Sequence, residues 1–151
     1  MDGAHTVIRR MEIDDLEAVY EIESASFPNT SWNIESFLRE LTANQFAYYF
    51  VLEKEDRVVG YCGVWLVIDQ SQITTIAVDR REQGNGYGRE LLQHAKEYAG
   101  QSADILSLEV SIDNDRAMKL YEKEGFLYGG IRKDYYGPGK DAHVMWVSLN
   151  E

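Results

Sequence analysis

The chain has 151 residues, 44% of them hydrophobic, and a formal net charge of −11 at pH 7. This length predicts one domain, residues 1–151, with a substantial buried core. The acidic balance, without a cluster of Lys and Arg, argues against nucleic-acid binding. The apolar runs are too short for a membrane-spanning helix and the N-terminus lacks a signal-peptide pattern, so we expect no membrane association. The single cysteine, Cys62, excludes an internal disulfide and favours a cytoplasmic location.

The first half of the chain predicts a strand, two helices and three further strands. The strands are expected at Val7–Arg10, Tyr48–Leu52, Val58–Val67 and Ile73–Val78, which are rich in β-branched and aromatic residues. The first helix can be capped by Asp14 or Asp15. The second carries apolar residues at the i, i+3, i+4, i+7 spacing of one helix face, at Ile34, Phe37, Leu38 and Leu41.

The second half predicts a helix, a strand, another helix and two closing strands. The first of these helices follows a glycine-rich segment and stops at Gly100, and Ile105–Val110 is the next strand. Asp113 or Asn114 can cap the last helix, and the closing strands are expected near Phe126–Tyr136 and His143–Leu149. This order predicts the α/β class, a mixed central sheet of about six to seven strands with about four helices on both faces.

The glycine-rich segment Gln83-Gly84-Asn85-Gly86-Tyr87-Gly88 lies between an apolar strand and an amphipathic helix. Glycines let a ligand approach the backbone closely, and the free N–H groups of a helix start favour a phosphate or pyrophosphate. The spacing fits neither the dinucleotide fingerprint G-x-G-x-x-G nor the P-loop G-x-x-x-x-G-K-[ST]. What remains is Q-x-x-G-x-G, which either binds a phosphorylated ligand or simply connects the strand to the helix.

This segment resembles the acyl-CoA loop of the GNAT family of N-acetyltransferases, whose signature is Q/R-x-x-G-x-G/A. The resemblance implies acetyl-CoA as cosubstrate. It also implies that the pyrophosphate lies against the loop, at Gly84, Asn85, Gly86, Tyr87, Gly88 and Arg89. The preceding strand, at Ile76, Ala77 and Val78, would then line the pantetheine arm and the acetyl group.

Two further residues are candidates for acid–base chemistry. Glu109 lies in the apolar run Leu106–Val110, where strand alternation puts it on the face opposite Leu106 and Leu108. A carboxylate there is either part of a functional site or solvated on an exposed face, and this strand alone does not decide. Tyr121 shares its helix with apolar residues, a spacing more typical of a core aromatic.

Several segments resemble, in order, the RimI-type ribosomal-protein-alanine N-acetyltransferases of the GNAT family. They are Phe27-Pro28 with Trp32, the block Leu108-Glu109-Val110 to Asn114, Ala117, Leu120-Tyr121 and Gly125-Phe126, and Ile131–Tyr136. The resemblance implies Glu109 as general base, Tyr121 as general acid and Asn114 as a residue that holds the cofactor or positions its helix. It also implies Trp32 and Tyr135 as substrate-binding residues, and a basic ribosomal-protein N-terminus as the acceptor.

The sequence departs from that pattern at Gly84, Ser111, Asp113 and Asp134, none of which is the proposed acid or base. The histidines His5, His94 and His143 show no metal-ligand spacing, so we expect no metal. Cys62 is interpreted as a small apolar residue in a strand. Two other functions stay open: an acetyltransferase for small amines such as polyamines, and a CoA-binding regulatory module without turnover. The oligomeric state is unknown.

Overall fold

A computed structural model describes residues 5–28 and 32–149 of the chain. The strands in these residues are β1 (Thr6–Arg10), β2 (Ala47–Lys54), β3 (Arg57–Val67), β4 (Gln70–Val78), β5 (Ile105–Ser111), β6 (Leu127–Arg132) and β7 (Ala142–Ser148). The helices are α1 (Leu16–Ser26), α2 (Ile34–Thr42), α3 (Tyr87–Ala99) and α4 (Asp115–Lys123). The predicted order of elements is therefore confirmed.

The strands form one seven-stranded sheet in the order β1-β2-β3-β4-β5-β7-β6. All neighbours are antiparallel except β4 and β5, which run parallel. A parallel pair needs a crossover, and α3 supplies it between β4 and β5. The C-terminal ends of these two central strands therefore lie at the same edge as the start of α3.

Helices cover both faces of the sheet, as the sequence predicts. On one face Leu91 and Leu92 of α3 pack against Leu106 of β5 in the larger hydrophobic core. On the other face Val19 of α1 and Phe37 of α2 pack in a second core. Burial on both sides explains the continuous buried runs of β2 and β3, whereas burial alternates along β4 and β5.

Two local predictions are corrected. The strand expected to reach Tyr136 ends at Arg132, and residues 133–136 form a turn in which Asp134 has a φ of 55°. Asp15 precedes α1, but its carboxylate accepts hydrogen bonds from Arg9 and from the Glu12 amide instead of capping that helix. The first correction matters for function because it moves two tyrosines from a strand into a loop.

Candidate active site

The centre of the sheet contains a gap between two neighbouring strands. In the described part of the chain, pairing between β4 and β5 covers only Gln70–Gln72 and Ile105–Ser107. The Asp79 amide donates to the Val59 carbonyl of β3 at 2.8 Å. Since N–H groups alternate along a strand, the amides of Ile76 and Val78 point away from β3, towards the gap. Backbone N–H donors of β4 therefore face the gap, and β5 lies too far away there to pair with them.

The loop from β4 to α3 is exposed and has open space beside two of its glycines. Gly84 and Gly86 have φ angles of 88° and 84°, which favour glycine. A Cβ built on either residue would meet no atom within 4 Å, so the packing of the protein does not require glycine there. Gly86 is the N-cap of α3, so the first amides of the helix face this open space. The arrangement fits an anionic group such as a pyrophosphate.

The individual loop residues contribute in different ways. The side chain of Tyr87 is buried in the core, so only its backbone is available to a ligand. A Cβ on Gly88 would lie 3.4 Å from Leu120 of α4, an ordinary van der Waals contact, so the packing of α3 against α4 does not require glycine there. The side chain of Arg89 donates to the Glu124 carboxylate at 3.1 Å.

A buried carboxylate that the sequence analysis missed holds the loop in place. Glu82 precedes the glycines, is 7% exposed, and accepts hydrogen bonds from Lys54 at 3.0 Å and Arg57 at 2.6 Å. The hydrogen bond from Lys54, then that from Arg57, lowers the pKa of Glu82 below its usual value. The side chain of Asn85 donates to the Glu82 carbonyl at 3.1 Å. Lys54 and Arg57 thus fix the loop to the hairpin between β2 and β3.

Glu109 lies in β5 beside the gap, and its carboxylate is held by three side chains. Gln72 donates to Oε1 at 2.6 Å, Tyr135 donates to Oε1 at 3.3 Å and Arg132 donates to Oε2 at 3.0 Å. The side chain of Glu109 is 11% exposed, so it is a positioned group and not a solvated one. The sequence left open whether Glu109 is part of a site or solvated, and the structure places it in a polar cluster. Gln72 and Arg132, to which the sequence analysis assigns no role, belong to the same cluster.

Tyr136 lies close to this cluster, whereas Tyr121 packs in the larger core with Leu108 and Val110. Tyr136 donates to the Glu109 carbonyl at 3.4 Å, and its ring contacts Tyr135 with centroids 4.8 Å apart. Burial, followed by the proximity of Tyr135 and Glu109, raises the pKa of Tyr136 to about 12. Tyr121 of α4 is 6% exposed, and burial raises the pKa of its hydroxyl above the ordinary value. Tyr121 therefore keeps its proton at neutral pH.

The remaining predicted residues have separate surroundings. The side chain of Asn114 caps α4 by accepting a hydrogen bond from the Ala117 amide at 3.1 Å, which positions that helix. Trp32 packs against Phe37 and Tyr49, with ring centroids 4.9 Å and 6.3 Å away. Trp32 thus lies on the α2 side of the site, away from the Glu109 cluster.

Cys62 of β3 is buried, and burial raises the pKa of its thiol to about 12. This confirms its interpretation as a small apolar residue and leaves it without a nucleophilic thiolate at neutral pH. Residues 5–28 and 32–149 contain no group of three or more His, Cys, Asp or Glu side chains arranged to hold a metal ion. In the same residues, none of the helices combines the length and apolar character needed to cross a membrane.

The profile of the Acetyltransferase (GNAT) family matches residues 16–126. A Bacillus subtilis protein named "Putative [ribosomal protein bS18]-alanine N-acetyltransferase" is 44% identical over 95% of this chain and 96% of its own length. The "[Ribosomal protein bS18]-alanine N-acetyltransferase" of Escherichia coli K12 is 34% identical over 95% of this chain and 97% of its own length. The crystal structure of the Escherichia coli ribosomal-protein-S18-alanine N-acetyltransferase superposes with a TM-score of 0.86 at 29% identity, covering 97% of this chain and 96% of that one.

Proposed function

Because this chain belongs to the acetyltransferase (GNAT) family and resembles its RimI-type members, we propose that it acetylates the N-terminal α-amino group of a protein. The proposed acceptor is the N-terminal alanine of a small-subunit ribosomal protein, and the proposed donor is acetyl-CoA. The observation that carries the proposal is the gap between β4 and β5, which faces a carboxylate held by three donors. We place the activity in the cytoplasm and in one domain covering residues 1–151.

In this proposal the glycine loop and the gap hold the donor. The amides that begin α3, at Tyr87, Gly88 and Arg89, bind pyrophosphate together with the loop residues Gly84, Asn85 and Gly86. Ile76, Ala77 and Val78 of β4 line the pantetheine arm and the acetyl group. The open space beside Gly84 and Gly86 supports this assignment, since nothing in the protein itself occupies it. Asn114 acts by positioning α4 over the donor.

Glu109 is the proposed general base. The acceptor nitrogen attacks the thioester carbonyl, and Glu109 takes the proton that the nitrogen loses, either directly or through a water. An α-amino group has a pKa of about 7.7–8.0, so a sizeable fraction is already neutral and the base has a modest task. The donors from Gln72 and Arg132 keep the carboxylate aimed at one place, which a base requires.

Two other groups complete the proposed reaction. The Val78 amide points into the gap and is the proposed donor to the oxyanion that develops on the carbonyl. Tyr121 is the proposed general acid, which protonates the leaving thiolate. A thiol has a pKa of about 8.5 and an ordinary tyrosine about 10, and burial raises the pKa of Tyr121 further. The tyrosine is therefore protonated when the thiolate forms.

Trp32 and Tyr135 are the proposed walls of the acceptor site, one on the side of α2 and the other in the loop after β6. The net charge of −11 favours a basic acceptor such as a ribosomal protein through long-range attraction. The departures from the RimI pattern at Ser111, Asp113 and Asp134 lie around this region and bear on acceptor preference.

Incubation with acetyl-CoA and a panel of N-terminal peptides, followed by mass measurement, tests the proposal. We expect a gain of one acetyl group on the α-amino nitrogen of alanine-initiated peptides. Acetylation of spermidine or other small amines with none on peptides would favour the polyamine alternative. Acetyl-CoA binding without turnover on either acceptor would favour the regulatory module.

A further inference from the structure

We propose that a pocket beside the gap binds a cationic side chain, arginine or lysine, at the second or third residue of the acceptor. This tryptophan pocket is lined by Trp32, Ser36, Arg39, Glu40 and Trp65 and has a volume of about 310 Å³. Its assignment rests on the function proposed above and names the class of acceptor that the site prefers. This volume is at the lower end of the range of small-molecule sites and has room for one long side chain.

The pocket lies on the same face of the sheet as Glu109. Leu108 and Val110 point into the core under α3 and α4, so alternation places Glu109 on the opposite face, which α1 and α2 partly cover. Trp65 of β3 reaches that same face, because its Nε1 donates to Glu40 of α2 at 2.6 Å. An acceptor bound at Glu109 therefore meets the pocket without crossing the sheet.

The spacing of the strands indicates which acceptor residue reaches the pocket. Trp65 of β3 is paired with Gln72 of β4, and Gln72 donates to Glu109 of β5. Trp65 lies one strand spacing, about 4.8 Å, from Gln72, and the Gln72 side chain spans the remaining distance to Glu109, so the pocket lies roughly 10 Å from the base. An extended chain advances about 3.3 Å per residue, so the second or third side chain arrives there.

The carboxylate of Glu40 gives the pocket its charge. Its Oε1 accepts from Tyr49 at 3.0 Å and from Trp65 at 2.6 Å, and its Oε2 accepts from Asn44 at 3.2 Å. All three donors are neutral, and the ion pairs found among the described residues do not include Glu40. A carboxylate has about four acceptor positions, so Glu40 is oriented by its three donors and keeps capacity for a cation.

Two indole rings flank this carboxylate. Trp32 is held by its contacts with Phe37 and Tyr49, and Trp65 is 39% exposed on the other side. Aromatic faces attract a guanidinium or ammonium group and also pack against its methylene stem. Arg39 also lines the pocket, but it is exposed and forms no ion pair with Glu40, so the oriented charge beside the indoles is negative. Indole and carboxylate together select a long cationic side chain.

The test compares alanine-initiated peptides that differ only at residue two or three, with Arg, Lys, Gln, Met or Glu at that position. With saturating acetyl-CoA, we expect kcat/KM of the wild-type protein to favour Arg and Lys over Gln and Met by about tenfold at one of the positions. In Glu40→Gln this preference should fall towards one, with kcat/KM for the Gln peptide and KM for acetyl-CoA unchanged. The control Glu35→Gln removes an equal charge from an exposed position of α2 and should keep the preference.

Three results would overturn the pocket assignment. The first is a wild-type protein whose kcat/KM does not depend on charge at either position. The second is a wild-type preference for Glu, which would point to Arg39 as the residue that binds the side chain. The third is an equal loss of kcat/KM for the Arg and Gln peptides in Glu40→Gln, which would make Glu40 a structural residue. The wild-type comparison needs no variant, so it decides even if Glu40→Gln folds poorly. If every peptide is acetylated without a preference for a cationic residue, only the pocket assignment is wrong. If no peptide is acetylated, the proposed function is contradicted as well.

Discussion

The two ends of the β4–β5 pair differ in how they use their polar groups. At the paired end, Gln70–Gln72 and Ile105–Ser107 form an ordinary parallel ladder, and Ser71 and Ser107 donate to carbonyls of the neighbouring strand. At the separated end, the amides of Ile76 and Val78 face a gap, and Glu109 takes its partners from β4, β6 and the following loop. Where β4 and β5 are not paired with each other, their backbone and side-chain polar groups are available to a ligand.

This difference predicts that substitutions of similar size have unequal effects at the two ends. Replacement of Glu109 by Gln should have the largest effect, lowering turnover by roughly 10²–10⁴, because the amide keeps the shape but cannot take a proton. The measurements are kcat on an acceptor peptide and the Kd of acetyl-CoA by calorimetry, and the Kd should change little. Ser107→Ala at the paired end is the matched control and should keep turnover. Unchanged turnover in Glu109→Gln would remove this residue from the mechanism.

Tyr121→Phe should lower kcat by about tenfold to hundredfold. This loss is smaller than the largest contribution of a general acid, because a thiolate also leaves to some extent without protonation. The ring stays packed against Phe126, so folding and acetyl-CoA binding should be retained. Rapid-quench measurement of free thiol release checks the step directly. A wild-type rate of release would leave Tyr121 as a core residue alone.

Gly86→Ala should weaken acetyl-CoA binding by about fivefold to thirtyfold. With a Cβ the free loop relaxes away from the left-handed φ, and its return to that φ on binding costs roughly 1–2 kcal/mol. Gly130→Ala is the matched control: Gly130 also has a positive φ, of 131°, and empty surroundings, but it lies in β6. Calorimetric titration with acetyl-CoA should separate the two variants. Equal affinities would mean that the loop does not contact the donor.

Gln72→Leu should lower kcat by about fivefold, which corresponds to the loss of one hydrogen bond of about 1 kcal/mol while Arg132 and Tyr135 still hold Glu109. Gln70→Leu places the same side chain at the exposed start of the paired end and should leave kcat unchanged. Steady-state rates at saturating peptide and acetyl-CoA provide the comparison. Identical losses in both variants would indicate a general effect on the sheet.

The sequence predicts the elements well because their signals are local. Strand composition, helix periodicity and the cap at Asn114 each depend on a few neighbouring residues, and the order of elements then implies helices on both faces. The one extended misassignment, a strand through Tyr136, arose because β-prone tyrosines outweighed Asp134 at the turn. Local propensity does not take account of the hydrogen bonds that the Tyr135 and Tyr136 hydroxyls donate to Glu109, which is distant in sequence.

The site is less predictable because its contacts are distant in sequence. Glu109, Tyr121 and the glycines lie in motifs that point to a role. Gln72 lies in no motif, and Arg132 lies in the Ile131–Tyr136 segment without an assigned role, yet they reach Glu109 across 37 and 23 residues. Glu82 reads as an ordinary surface residue until β2 and β3 bring Lys54 and Arg57 beside it. A buried carboxylate is recognisable only when the partners that offset its charge are known.

The pH dependence of turnover separates the role of the acceptor amine from that of the general acid, and its alkaline side gives the smallest expected effect. Below a pH of about 7.7–8.0 the rate should rise with pH as the acceptor amine loses its proton, and it should then level off. An acid whose pKa is raised keeps its proton at pH values where an ordinary tyrosine, with a pKa of about 10, begins to lose it. Burial raises the pKa of Tyr121, so we expect less than a twofold change in kcat between about pH 8.5 and 10, measured in buffers of constant ionic strength. A decline that begins below pH 10 in the wild-type protein and disappears in Tyr121→Phe would show that the Tyr121 hydroxyl loses its proton as an exposed tyrosine does. Its assignment as a buried general acid would then be wrong.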